Sequence, residues 1–123
     1  MTVIEDYIEN QNKYKKEYGK RTIFLMEVGS FFEYYGIIKV PEGKTEQDMS
    51  EEEKIQNRWG RVWDVADNVL SAHISRRGNW AYKPYMAGFP NHAIEKHIAL
   101  LVEASYTVVT MRQKEYGVSD PER

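Results

Sequence analysis

The chain has no cysteine among its 123 residues, which removes a disulfide framework, a thiolate metal site and a thiol nucleophile together. No apolar run approaches the roughly 18 residues a membrane span requires, and the first residues lack the apolar core of a secretion signal. A cytosolic, nuclear or organelle-matrix location is therefore expected. Histidine is scarce: His73, His92 and His97 are all there is. His92 and His97 stand about 140° apart round a helix, so they cannot converge on one ion, and no metal site is expected. Gly43-Lys44-Thr45 ends like a phosphate-binding loop, but the glycine required earlier is Ile38, and Pro41 and Glu42 stand where backbone amides should face an anion. Ser71, Ser75 and Ser105 lack a nucleophile-elbow context. No catalytic constellation remains, so neither enzyme activity nor a cofactor is expected within this chain.

A large excess of either charge is also missing, since 17 Lys and Arg face 19 Asp and Glu for a net charge of −2. Yet the charge is uneven. Residues 41–54 carry a balance of −4, which leaves the rest of the chain at +2. Basic residues gather at Lys13, Lys15, Lys16, Lys20 and Arg21, and again at Arg76, Arg77 and Lys83. Such a face supports modest phosphate affinity, well short of a polybasic footprint.

What is abundant is aromatic surface: nine Tyr, four Phe and three Trp. With 41% hydrophobic and 29% charged residues, the chain is expected to form one globular domain over 1–123. Ile4, Tyr7, Ile8, Gln11, Tyr14 and Tyr18 recur at helical spacing, Thr2 and Glu5 form a capping box, and Gly19 is a natural stop, so 3–18 reads as an amphipathic helix. A hairpin over 21–28 and 31–38 follows, turning at Gly29-Ser30. An acidic insertion spans 39–60, of which 39–57 reads as solvated, with a short helix at Ser50–Gln56 in which Ser50 caps onto Glu53.

Val62, Val65, Ala66, Val69 and Leu70 share a face and predict a helix near 61–71. Ala72–Ser75 reads as a short strand leading into a basic turn, and 84–90 as an extended segment bracketed by prolines. Asn91 is a good N-cap for a third helix to about Ala104, and 106–112 is the clearest strand. The tail Ser119–Arg123 is expected to fray. This order predicts an α/β or α+β fold, a mixed sheet of about five to six strands flanked by about three helices.

In the second hairpin strand, alternation puts Phe32 and Tyr34 on one face and Phe31 and Glu33 on the other. With Phe32 and Tyr34 filling the core, Phe31 stands beside a carboxylate at the end of the hairpin. A ring next to a hydrogen-bond acceptor suits reading a nucleobase. The plainer alternative is a strand buried on both sides with Glu33 at its rim.

Three ordered blocks resemble the N-terminal mismatch-recognition domain (domain I) of the MutS family of DNA mismatch repair proteins. Gly29-Ser30-Phe31-Phe32-Glu33 is similar to the family's Gly-Asp-Phe-Tyr-Glu segment, with the Phe-x-Glu core intact. The stretch from Leu70 ending Ile74-Ser75-Arg76-Arg77-Gly78 is similar to Ile-Ser-Leu-Thr-Lys-Arg-Gly. Pro84 to Glu95 resembles Pro-Met-Ala-Gly-Ile-Pro-Tyr-His-Ala-Val-Glu. The resemblance covers nearly the whole chain apart from 39–60, and the long hairpin and acidic insertion look like the divergent branch of large DNA viruses and some organelles.

This resemblance implies that Phe31 enters from the minor groove and stacks on a mispaired or unpaired base, while Glu33 hydrogen-bonds an edge of that base. It implies that Arg76 and Arg77 touch backbone or minor groove, and that Met86, Gly88 and Phe89 lie against the duplex. The implied partners are double-stranded DNA with a mismatch or small loop, and the remaining MutS domains or a second subunit. No membrane partner is implied. ATP and Mg belong to the full-length family's ATPase domain, which this chain lacks, so it is expected to be an excised domain or a stand-alone copy in a DNA-containing compartment. The competing expectation is a repurposed protein-interaction module of the same fold with little DNA binding, favoured by the net charge of −2 and the tyrosine-rich helix.

Overall fold

The computed structural model describes residues 3–76 and 84–113. Thr2 of the expected capping box, the turn residues Arg77, Gly78 and Asn79, Lys83, and the tail 119–123 lie outside the described residues.

Helix α1 (Val3–Tyr18) carries Glu5 and Asp6 in its first turn and Lys15 and Lys16 in its last, charges placed to suit the helix dipole. It stops at Gly19, whose φ of +107° a side chain would resist. Strands β1 (Thr22–Val28) and β2 (Phe31–Ile38) form the expected hairpin. The intervening segment holds a 3-10 turn at Glu46–Asp48 and helix α2 (Glu51–Gln56), where Ser50 accepts from the Glu53 amide as its spacing predicts. Strand β3 (Arg58–Gly60), helix α3 (Val62–Val65) with a wider π turn at Ala66–Leu70, and strand β4 (Ser75–Arg76) come next. Strand β5 (Tyr85–Pro90), a 3-10 turn at Asn91–Ala93, helix α4 (Ile94–Glu103) and strand β6 (Thr107–Met111) follow.

The strands make one mixed sheet in the order β4-β5-β2-β1-β6, with β3 also paired to β2. Among the described residues, β1 and β6 run parallel and the other pairs are antiparallel. This is an α+β fold of six strands with helices on both faces.

Helix α1 covers one face, where Tyr7 meets Phe24 at 5.4 Å and Tyr35 at 5.0 Å between ring centroids. Helices α3 and α4 cover the other, where Phe89 stacks on His97 at 4.0 Å and any side chain at Gly36 would strike Trp63. Gln11 closes a gap in the sheet. It donates from Nε2 to the Thr22 carbonyl at 3.0 Å and accepts from the Phe24 amide at 2.9 Å, on the side of β1 opposite β6, where the ladder with β2 reaches only to Met26.

Four expectations need correction. Residues 58–60, placed in the insertion, form β3, a strand too short for alternation to reveal. The insertion is not wholly solvated, since Met49 is buried in the core. The short strand falls at Ser75–Arg76 rather than Ala72–Ser75, in register with Met86 and Tyr85, because the preceding residues lead out of the π turn. Asn91 does not cap α4: its side chain turns instead to Glu27, and the helix is entered through the 3-10 turn.

Candidate nucleic-acid interface

Val28 and Phe31 pair across the turn, and Gly29 adopts φ +62°, the left-handed value that the first position of a tight hairpin turn requires. The register then fixes the faces. Met26, Val28, Phe31, Glu33, Met86, Gly88 and Pro90 share the α1 face, while Glu27, Phe32, Ala87 and Phe89 share the other. At the hairpin end of that face, no α1 residue is among the residues lining the cleft beside Phe31. Phe31 is 47% exposed there, whereas Phe32 and Tyr34 are fully buried.

Beneath Phe31 lies an open cleft of about 340 Å³, with Glu33, Met86 and Gly88 among its lining residues and His73 and Ser75 on its far side. Glu33 is buried, and its Oε1 accepts a hydrogen bond from the Tyr35 hydroxyl. The strand is thus buried on both faces except at Phe31, which combines the two alternatives that the alternating pattern left open. Gly88 faces Glu33 across the ladder. A Cβ there would sit 2.6 Å from the Phe32 carbonyl oxygen, so close strand approach already requires glycine at this position.

The tip is tied down from behind. The Ser30 carbonyl accepts from the Asn91 amide at 2.8 Å, and the Gly29 carbonyl accepts from Gln113 Nε2 at 2.7 Å. Buried Glu27 accepts from Asn91 Nδ2 and from the Gln113 amide, each at 3.1 Å, and lies 3.8 Å from Arg112. Arg112 in turn sits over the Phe32 ring at 5.4 Å. Glu27, Asn91 and Gln113 escape sequence reasoning because they are far apart in the chain and form no local pattern.

The structure therefore brings together Phe31, Glu33, Met86 and Gly88, and adds His73 and Ser75. It does not bring Phe89 or Arg76 to them. Phe89 packs between Phe32 and His97 on the opposite face, buried. Arg76 follows Ser75 by one residue and so points the other way, ion-paired to Glu46 at 3.0 Å. Arg77 lies outside the described residues. Among the described residues, no cluster of His, Asp or Glu is arranged to hold a metal ion, and no helix is long and apolar enough to cross a membrane.

No family model matches the chain. It is similar to the mutS homolog L359 of Acanthamoeba polyphaga mimivirus, named as a DNA mismatch repair protein, with 28% identity over 122 residues. That alignment covers 94% of this chain, and the chain spans about 9% of the length of that relative. The similarity to that MutS homolog runs over nearly the whole length of this chain.

Proposed function

We propose that this domain senses mispaired or unpaired bases in double-stranded DNA, as part of or derived from a MutS-type mismatch repair protein. The observation that carries the reading is Phe31: a half-exposed ring at a hairpin tip braced by hydrogen bonds from Asn91 and Gln113, with the Glu33 carboxylate two positions on. Phe31 is the wedge. It enters from the minor groove and unstacks a base step, which costs roughly a few kcal/mol at a matched pair and less at a mispair that is already weakly stacked. Stiffness matters here, because a yielding tip would let the ring fold back rather than the DNA bend. Glu33 is the acceptor that tests an edge of the displaced base, and Met86 with Gly88 forms the floor against which that base lies.

The test compares a duplex holding one mispair or a one-base bulge with its matched counterpart at low salt. The mispaired duplex is bound more tightly, and Phe31→Ala removes the difference while leaving weak general binding. Equal affinity of the unaltered protein for the two duplexes refutes the reading. A second reading, docking of a partner protein at the same cleft, draws support from its uncharged floor of Phe31, Met86, Ala87 and Gly88 among the described residues. Capture of a protein that survives nuclease treatment, together with no DNA binding at low salt, would favour it.

A further inference from the structure

On the face away from Phe31, three donors converge on one carboxylate. Arg76 donates from Nη1 to Glu46 Oε2 at 3.0 Å and from Nη2 to Oε1 at 3.2 Å. The Tyr85 hydroxyl donates to the same Oε2 at 2.7 Å and accepts from Arg76 Nη1 at 3.1 Å. The Arg76 guanidinium lies 4.1 Å over the Tyr85 ring, Tyr85 packs on Trp63 at 5.2 Å, and Arg58 covers Trp63 at 4.7 Å. Arg76 and Tyr85 are thus held by ring and cation contacts in addition to their bonds to Glu46. A forked guanidinium with an adjacent phenol O–H is a donor set that suits phosphate oxygens as well as a carboxylate.

Glu46 belongs to a segment anchored by other means. Thr45 and Asp48 close a capping box, Lys44 pairs with Glu53 at 2.9 Å, and Met49 is buried. Only the Glu46 side chain need rotate for its carboxylate to leave. The pair is partly solvated, with side chains 40% and 24% exposed, so solvent and competing anions weaken it.

We infer that Arg76 and Tyr85 form an oxyanion site distinct from the Phe31 cleft, filled from within the chain by Glu46, which a phosphate group displaces. The phosphate is either a DNA backbone phosphate, a source that rests on the function proposed above, or a free phosphate ion.

The test titrates the protein with inorganic phosphate, following the Arg76 Nε–H resonance. Glu46→Gln binds phosphate roughly tenfold more tightly than the unaltered chain, the scale expected for releasing one charged hydrogen-bonding partner. Glu46→Asp, whose shorter arm withdraws the carboxylate while keeping the charge, shows the same direction of change. Adding Tyr85→Phe to Glu46→Gln reduces the gain, and adding Arg76→Ala abolishes it. Equal phosphate binding by the unaltered and Glu46→Gln proteins, or a gain that survives Arg76→Ala, overturns the inference. With matched duplex, Glu46→Gln steepens the log–log salt dependence by about one if backbone phosphate is the source. Unchanged duplex binding beside tighter inorganic phosphate assigns the site to the free ion. A missing mispair preference in the unaltered protein rejects the proposed function and leaves the inorganic-phosphate result to decide this site.

Discussion

Phe31 and Phe32 are neighbours in the chain and point to opposite faces of one strand, the first ring 47% exposed and the second fully buried against Phe89. Their substitutions should separate binding from folding. Phe32→Ala empties a packed site and is expected to cost about 3–5 kcal/mol of stability. Phe31→Ala removes a ring about half in water and should shift stability by about 1 kcal/mol or less, while erasing the mispair preference. Urea unfolding of both variants, paired with duplex titrations, checks the split. A Phe31→Ala protein destabilised as severely as Phe32→Ala would make that ring a structural one.

Gln11 is the polar member of an otherwise apolar helix stripe, and the structure supplies its purpose. Its amide takes the place of a missing strand beside Thr22 and Phe24, and it is itself buried. Gln11→Leu keeps the volume but leaves the Phe24 amide and Thr22 carbonyl unpaired, so a loss of about 1–3 kcal/mol is expected. Faster hydrogen exchange at the Phe24 amide should accompany it. Unaltered exchange at that amide would mean water or a shifted strand does the same work.

Tyr34 presents the converse case. Its ring is fully buried, and among the described residues its hydroxyl has no hydrogen-bond partner. Burial, with a smaller contribution from the negative charge of Asp67, raises its pKa far above the ordinary tyrosine value. Tyr34→Phe removes an unsatisfied polar atom while keeping the ring, so stability should hold or rise by about 1 kcal/mol. A loss larger than that in thermal or urea unfolding would reveal a hydroxyl partner.

These residues also mark what was legible in the sequence. Helix α1 and its stop at Gly19, the turn at Gly29-Ser30, the cap from Ser50 to Glu53 and the opposed faces of Phe31 and Phe32 follow from local periodicity and turn chemistry, and all are found. Alternation, however, tells which face a side chain takes and not what covers it, so the burial of Glu33 beside Tyr35 was out of reach. Pairings across long stretches of chain leave no local mark either: Asn91 with Glu27, and Arg76 with Glu46. Both changed the candidate site, one by bracing its tip and the other by drawing a cation to the opposite face.

The Arg76–Glu46–Tyr85 group makes a prediction at high pH. Tyr85 has its pKa pushed up from 10.0 to about 12, chiefly by burial and then by its hydrogen bond to the Glu46 carboxylate. An unfolded chain loses this proton first, near 10, while the folded protein keeps it until about 12. The stabilisation is therefore complete below pH about 10 and drains away as pH climbs toward about 12, because the unfolded state binds fewer protons across that window. Tyr7 and Tyr34 also have raised values and add to the slope, so the comparison must be made by difference. Urea unfolding measured from pH 8.5 to about 11.5 should show the unaltered protein losing stability more steeply than Tyr85→Phe. Glu46→Gln should lie between the two, since it withdraws the carboxylate acceptor but leaves the burial. Parallel curves for the unaltered protein and Tyr85→Phe would show that Tyr85 ionises as readily folded as unfolded, and that its hydroxyl is not held by Glu46 in solution.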